Sequence, residues 1–290
     1  MSIMAETVSI IIPARNEAAS LRTLLPEIRA RMPGAEIIVV NDGSTDDSAD
    51  ICRQYATKLV SHPYGMGNGA AVKSGARIAK GEILIFMDAD GQHQPQDIPR
   101  LLEKLASGYD MVVGARSRRS QAGMHRAVAN GFYNRLASWM VGQNVADLTS
   151  GFRAVRSDKF RKFLYMLPNG FSYPTTITMS FFRAGYAVGY VPIHAPKRMG
   201  SSSHMRIVRD GVRFLLIIFK IGTLYSPLKL FFPVSVAFFL LGAGNYVHTY
   251  LTLHRFTNMS ALLFITAMVV FLIGLVSEQI TMLAYRDSEH

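Results

Sequence analysis

Cysteine is nearly missing from this 290-residue chain: Cys52 stands alone, so no intramolecular disulfide can form. That fits a reducing compartment. Acidic residues are also scarce. Asp and Glu number 20 against 31 Lys and Arg, giving a formal net charge of +11. Such a surplus suits nucleic acid, an anionic membrane surface or phosphorylated substrates. No helix-turn-helix, zinc-ligand spacing or aromatic RNA-binding signature accompanies it, so nucleic acid is not expected as a partner. The glycine run Gly65-Met66-Gly67-Asn68-Gly69 lacks the Lys-Ser/Thr ending of a P-loop, which argues against an ATPase. The opening MSIMAETVSIII lacks a basic stretch before a long apolar core and a small-residue cleavage site, so no signal peptide is expected.

What is present is a rhythm. Short β-branched runs at Val8–Ile12, Ile37–Val40, Lys58–Ser61, Glu82–Met87 and Met111–Ala115 alternate with helical patterns. Leu21, Leu24, Leu25, Ile28 and Met32 recur at helical spacing and stop at Pro33-Gly34. Further helices are expected after Ser44-Thr45, over Gly69–Ala79 and over Pro95–Ser107. The pattern predicts an α/β domain, a mixed and mainly parallel sheet with helices on both faces. Ligands of such sheets sit outside the carboxyl ends of the strands. The polar clusters fall there: Arg15-Asn16-Glu17, Asn41-Asp42, Asp88-Ala89-Asp90 and Arg116.

The C-terminal part is different. No Lys, Arg, Asp or Glu occurs from Leu230 to Leu253, or from Phe256 to Ser277. Each run is long enough to cross a bilayer as a helix, and the short link through His254 and Arg255 makes the pair a hairpin. Arg206, Arg209, Arg213, Lys220 and Lys229 precede it and Arg286 follows. The positive-inside rule places that side, and the α/β domain with it, in the cytoplasm. Met205–Tyr225 reads as a basic amphipathic helix lying on the membrane surface, or as an additional short membrane segment. The expected division is 1–204, 205–228 and 229–285. The interfacial helix and hairpin leave room for a homo-oligomer.

Taken singly, the polar clusters are ambiguous. Asp88 and Asp90 at a strand end could face a hard divalent cation that draws its other ligands from a diphosphate, or could lie in a solvated loop. Asp42 in Asn41-Asp42-Gly43-Ser44 could accept hydrogen bonds from a ribose or base, or could shape a turn. The Gly65–Gly69 run would let backbone approach a ligand.

Taken together they are specific. IIIPARNE (Ile10–Glu17), VVNDGSTDDS (Val39–Ser48), FMDADGQH (Phe86–His93) and DLTSGFRA (Asp147–Ala154) occur in this order. The set resembles glycosyltransferase family 2, inverting enzymes with the GT-A fold. VPIHAPKRMGSSSHM (Val191–Met205) and the two-span tail are similar to the branch that glycosylates polyprenyl phosphates, exemplified by dolichol-phosphate mannose synthase. The resemblance implies a nucleotide-sugar donor and a polyprenyl (undecaprenyl or dolichyl) phosphate acceptor at a lipid membrane. It implies that Pro13, Ala14, Arg15, Asn16, Glu17, Asp42, Gly69, Asp88, Ala89 and Asp90 bind the donor. Asp90 and Gln92 would hold Mg2+ or Mn2+. Arg116, Arg126, Asn130, Asp147, Ser150, Arg153, Ser203 and His204 would serve the acceptor, with Gly151 and Phe152 framing it. Asp88, Asp90, Arg116, Arg126 and Arg198 would carry the chemistry.

Two positions depart from the family pattern. Ser203-His204 replaces a common Ser-Lys, and Thr176 stands near a position where many members are acidic. UDP- and GDP-hexose donors both stay open. A processive polysaccharide synthase would carry a Gln-x-x-Arg-Trp motif, and Trp139, the single tryptophan, does not sit in one. An inactive scaffold would be expected to have lost Asp42, Asp88 or Asp90.

Overall fold

The structure, a computed structural model, describes residues 6–55, 58–116, 124–170, 172–195, 219, 222, 223 and 225–286, with the side chains of 124–130 and 284–286 set aside. It divides into two compact units, Met1–Ile207 and Val208–His290.

The first unit follows the predicted alternation. Its elements are β1 (Val8–Ala14), α1 (Ala18–Arg31), β2 (Glu36–Asn41), α2 (Ser48–Gln54), β3 (Lys58–Ser61), α3 (Asn68–Ile78) and β4 (Ile83–Phe86). After a short 3₁₀ turn come α4 (Ile98–Ala106), β5 (Met111–Arg116), α5 (Met124–Val141), β6 (Arg153–Arg156), α6 (Ser157–Arg161), α7 (Tyr173–Arg183) and β7 (Val188–Ile193). The strands form one seven-stranded sheet in the order β3-β2-β1-β4-β6-β5-β7. Only β6 runs antiparallel, against β4 and β5.

Strand sequences that are apolar at every position are buried on both faces. Ile10, Ile12, Ile37, Val39, Ile83 and Ile85 face Leu21, Leu24, Leu25 and Ile28 of α1 and Leu101 and Leu105 of α4. On the other face α3 comes so close that a Cβ on Gly75 would lie 2.4 Å from Ile11 Cγ2. β1 pairs with β2 on one side and β4 on the other, so chain direction across the sheet reverses at β1. That reversal opens a crevice at the carboxyl ends of β1, β2 and β4. β6 contributes from its opposite end: Arg153 pairs with Phe86, which brings Gly151 and Phe152 to the same rim.

β6 and β7, α5 and α7 add to the elements expected from the pattern. β6 is only four residues, Arg-Ala-Val-Arg, with a charge at each end and no apolar run to betray it.

The second unit contains α8 (Pro227–Leu253) and α9 (Asn258–Arg286). Both are long and apolar enough to cross a membrane, with mean hydropathy 1.7 and 2.7, and few of their residues are buried. At about 1.5 Å per residue either exceeds a hydrocarbon core of roughly 30 Å. His254 in the left-handed region ends α8. Polar groups meet between the helices and not on their outer faces. Ser235 Oγ donates to the Ala267 carbonyl at 2.8 Å, and Ser260 Oγ donates to Asn245 Oδ1 at 2.9 Å. Glu278 Oε2 accepts from Ser226 Oγ and from the Leu228 amide, which caps the start of α8.

Candidate active site

The rim is organised first by backbone needs. The amides that open α1 find partners on the β2–α2 loop: Asn16 N donates to Ser44 Oγ, Glu17 N to Ser48 Oγ, and Ala18 N to Asp46 Oδ2. Asn16 sits at φ 55° and returns the contact, its Oδ1 accepting from Thr45 N at 2.8 Å. The Arg15-Asn16-Glu17 segment and the Asp42–Ser48 loop are thereby one clamped structure.

Asp42 is a hub. It is buried, and its Oδ1 accepts from His62 Nδ1–H at 2.8 Å and from Met66 N at 2.7 Å, while Oδ2 accepts from Gly67 N at 2.8 Å. His62 Nε2 in turn meets Ser74 Oγ at 2.9 Å. Burial pushes the Asp42 carboxyl up, but these donors outweigh it and hold it below the usual carboxylate range. The glycines that follow serve the chain's own backbone. A Cβ on Gly67 would lie 2.5 Å from the Asn169 carbonyl oxygen, and one on Gly69 would lie 2.0 Å from that of Pro168. A Cβ on Gly65 would meet the guanidinium of Arg15 at 2.5 Å, so that guanidinium lies across the glycine loop.

Past β4 the chain delivers Asp88, Ala89 and Asp90. Ala89 is buried, while Asp88, Asp90 and Gln92 are half-buried. Asp90 Oδ1 accepts from Gln92 N at 3.1 Å, and Gly91 at φ 76° lets the chain turn there. The Asp88 amide donates to His93 Nδ1 at 2.8 Å. That bond fixes the neutral tautomer with its proton on Nε2. Burial pushes His93 down against the raising influence of Asp88 and Asp90, so the ring stays neutral. It stacks on Phe152 with centroids 5.0 Å apart. Gly151 packs so tightly under Asp88 that a Cβ there would lie 2.9 Å from Oδ2.

Arg116 ends β5 and is held by Asp147: Nε donates to Oδ2 at 2.8 Å and Nη2 to Oδ1 at 3.1 Å, with Nη2 also donating to Thr149 Oγ1 at 2.7 Å. Asp147 further accepts from the amides of Arg116, Thr149 and Ser150. Burial would raise the Asp147 carboxyl, but the Arg116 guanidinium and these amides hold it low. Among the described residues no partner meets Arg116 Nη1, which leaves one edge of a fixed guanidinium for an anion. Arg116 also senses the charges of Asp88 and Asp90.

Arg153 is wholly buried, and its guanidinium is spent inside the protein. It donates to the Ser150 and Pro174 carbonyls and to Thr178 Oγ1, and lies over the Tyr173 ring. Arg126 and Asn130 belong to α5, their side chains outside the described set; Arg198, Ser203 and His204 also lie outside the described residues. His62, Ser74 and Thr149 entered the site only through the structure, and so did the bond between the Asp88 amide and His93.

The donor set suits a hard cation of the Mg2+ or Mn2+ kind. Two half-buried carboxylates and an amide oxygen meet at the strand end, and no group of three or more His, Cys, Asp or Glu forms a closed cage among the described residues. Such an ion would keep positions for diphosphate oxygens and water.

Residues 9–164 match the family described as Glycosyl transferase family 2. The chain belongs to that family. Residues 226–283 of this family 2 glycosyltransferase match the GtrB C-terminal hairpin. It is 27% identical over 244 residues to the glycosyltransferase AglJ of Haloferax volcanii, covering 82% of this chain and 80% of that protein. It is 32% identical over 213 residues to an undecaprenyl-phosphate mannosyltransferase of Micrococcus luteus, covering 67% and 86%. Identity reaches 36% over 159 residues with an undecaprenyl-phosphate 4-deoxy-4-formamido-L-arabinose transferase of Aeromonas hydrophila, although the match spans only 48% of that longer protein. Among solved structures, glucosyl-3-phosphoglycerate synthase of Mycobacterium tuberculosis, held with Mn2+, UDP and its product, superposes with a TM-score of 0.60. The match covers 77% of this chain and 83% of that one at 20% identity, which fixes the GT-A fold.

Proposed function

We propose that this glycosyltransferase moves a hexose from a UDP- or GDP-sugar to a polyprenyl phosphate, with inversion at the anomeric carbon. The observation that carries the reading is the union of two parts in one chain. A carboxylate-bearing rim of the nucleotide-sugar fold is followed by a hairpin able to cross a bilayer, and relatives built alike are named for undecaprenyl-phosphate sugar transfer.

A phosphate monoester with its second pKa near about 6 is largely dianionic at neutral pH. The acceptor is already nucleophilic, so the protein needs to position it and stabilise charge. This agrees with a rim that offers carboxylates, a neutral histidine and an anchored arginine. The unbound edge of Arg116 draws the acceptor phosphate, and Asp147 keeps that guanidinium from swinging. One phosphate oxygen bonds to the anomeric carbon as the bond from that carbon to the nucleoside diphosphate breaks, and the electron pair leaves with the diphosphate. Asp90 and Gln92 would hold a divalent ion, which when bound supplies positive charge to that leaving group. His93, through Nδ1, fixes the Asp88 amide and so the strand end from which Asp88 faces the sugar. Arg15, Asn16, Glu17 and Asp42 border the nucleotide pocket. Asp42 acts there by shaping the glycine loop. Arg126, Asn130, Ser150, Ser203, His204 and Arg198 complete the acceptor and diphosphate side in this reading, and Arg153 supports Ser150 from beneath. The basic face before the hairpin sets the catalytic unit in the cytoplasm.

The test is nucleoside-diphosphate release by detergent-purified protein. UDP- and GDP-hexoses are offered with and without undecaprenyl or dolichyl phosphate, with Mg2+, Mn2+ or EDTA. Release that needs both lipid phosphate and metal is expected. Release without lipid would transfer the reading to another acceptor, and no release from folded protein would defeat it.

A further inference from the structure

α5 has two faces with opposite fates. Tyr133, Ala137 and Met140, at helical spacing, are buried in the first unit. On the other side Phe132 and Trp139 are 56% and 53% exposed, Arg135 between them is exposed and Leu136 is half-buried. Residues 132, 135, 136 and 139 form one stripe, because positions three, four and seven apart share a helix face. A phenylalanine and a tryptophan side by side in water on a helix already anchored by its inner face need an external partner.

Three observations choose that partner. Tryptophan, phenylalanine and arginine are the side chains that settle at a bilayer's headgroup level. From Arg116 to Ala146 the sequence holds five arginines and no Asp or Glu, a charge suited to anionic lipid. The same chain carries two helices able to cross a membrane, so a lipid surface is never far from it.

We infer that the Phe132–Arg135–Leu136–Trp139 face of α5 docks on the anionic surface of the bilayer. This rests on reading the hairpin as membrane-spanning, and goes beyond it by giving the catalytic unit a lipid contact of its own. The contact reaches the site. Asn134 Nδ2 donates to the Ala146 carbonyl at 2.7 Å, the Leu148 amide donates to Asn134 Oδ1 at 3.0 Å, and the Val145 amide donates to Ser138 Oγ at 2.9 Å. These bonds tie α5 to the segment bearing Asp147, which holds Arg116. Docking α5 therefore sets the height of Arg116 above the lipid.

Trp139 is the only tryptophan, so the intrinsic emission of the full chain reports on this face alone. The full-length protein is reconstituted in phosphatidylcholine–phosphatidylglycerol vesicles containing lipids brominated high or low on the acyl chain. Bromine near the headgroup is expected to quench Trp139 about twofold or more, and more strongly than bromine near the chain end. Phe132→Ser with Leu136→Ser is expected to reduce that quenching, as is replacing phosphatidylglycerol with neutral lipid. Emission unchanged by either bromolipid but quenched by aqueous acrylamide would overturn the inference. So would emission shielded from both, the sign of a protein occupant such as a second copy. Equal quenching in neutral vesicles would overturn the choice of an anionic surface. None of these readings needs turnover, so failure here is separable from failure of the proposed reaction.

Discussion

Asp42→Asn tests whether Asp42 works as the clamp of the glycine loop. Three donors converge on the carboxylate: His62 Nδ1–H and Met66 N on one oxygen, Gly67 N on the other. An amide has one oxygen, so in its better orientation it keeps the first two and turns NH2 against the Gly67 amide. That exchanges one charge-assisted bond for a buried unsatisfied donor, worth about 2–4 kcal/mol of local stability. At 1.4 kcal/mol per tenfold this predicts roughly 30- to 700-fold faster amide exchange at Met66 and Gly67. The measurement is hydrogen–deuterium exchange of the peptide spanning Tyr64–Gly69, with a peptide from α4 as reference. An unchanged rate in the Asp42→Asn protein would refute the clamp, as would equal acceleration in both peptides. The reasoning also gives a pH dependence. The folded carboxyl is held low, so the clamp is complete above the unfolded value near about 4 and is lost as pH falls through the lower folded value.

Further outcomes follow from the same geometry. Gly151→Ala places a methyl 2.9 Å from Asp88 Oδ2, and turnover should fall about tenfold or more with an unaltered melting profile. Gly69→Ala meets the Pro168 carbonyl, which as backbone cannot yield. It should cost about 1–3 kcal/mol by overpacking and lower the melting temperature, with a shift under a degree counting against it. Asp90→Asn should abolish turnover and leave circular dichroism unchanged, and near-normal turnover would remove the metal role. Asp147 is depressed like Asp42, so the stability it lends through Arg116 is full at neutral pH. It should vanish as pH falls below about 4, read as a drop in thermal midpoint that Asp147→Asn does not show.

Residues with a period of two or 3.6, or an unbroken apolar run, announced themselves in the sequence. The buried strands, α1 and the two hairpin helices belong here, because each is dictated by which local surface must leave water. The rim was legible for the same reason: a parallel sheet must put the residues after β1, β2, β4 and β5 on one edge. The antiparallel β6 and the inward face of α5 were not legible. Their partners are remote in sequence, and Arg-Ala-Val-Arg becomes a strand only because β4 and β5 supply its hydrogen bonds on both sides.

The sequence alone determined that carboxylates, arginines and glycines gather beside an apolar sheet, with a hairpin able to cross a membrane beyond it. Only the tertiary structure decided what each polar group touches. Arg116 and Arg153 are the same residue type near the same rim. One keeps an edge of its guanidinium unbound beside Asp147, and the other is sealed among the Ser150 and Pro174 carbonyls. Likewise Gly69 could have made room for a ligand, and it makes room for Pro168. The pattern of a chain records how much each residue favours water; the neighbour that replaces water is fixed only when distant segments pack.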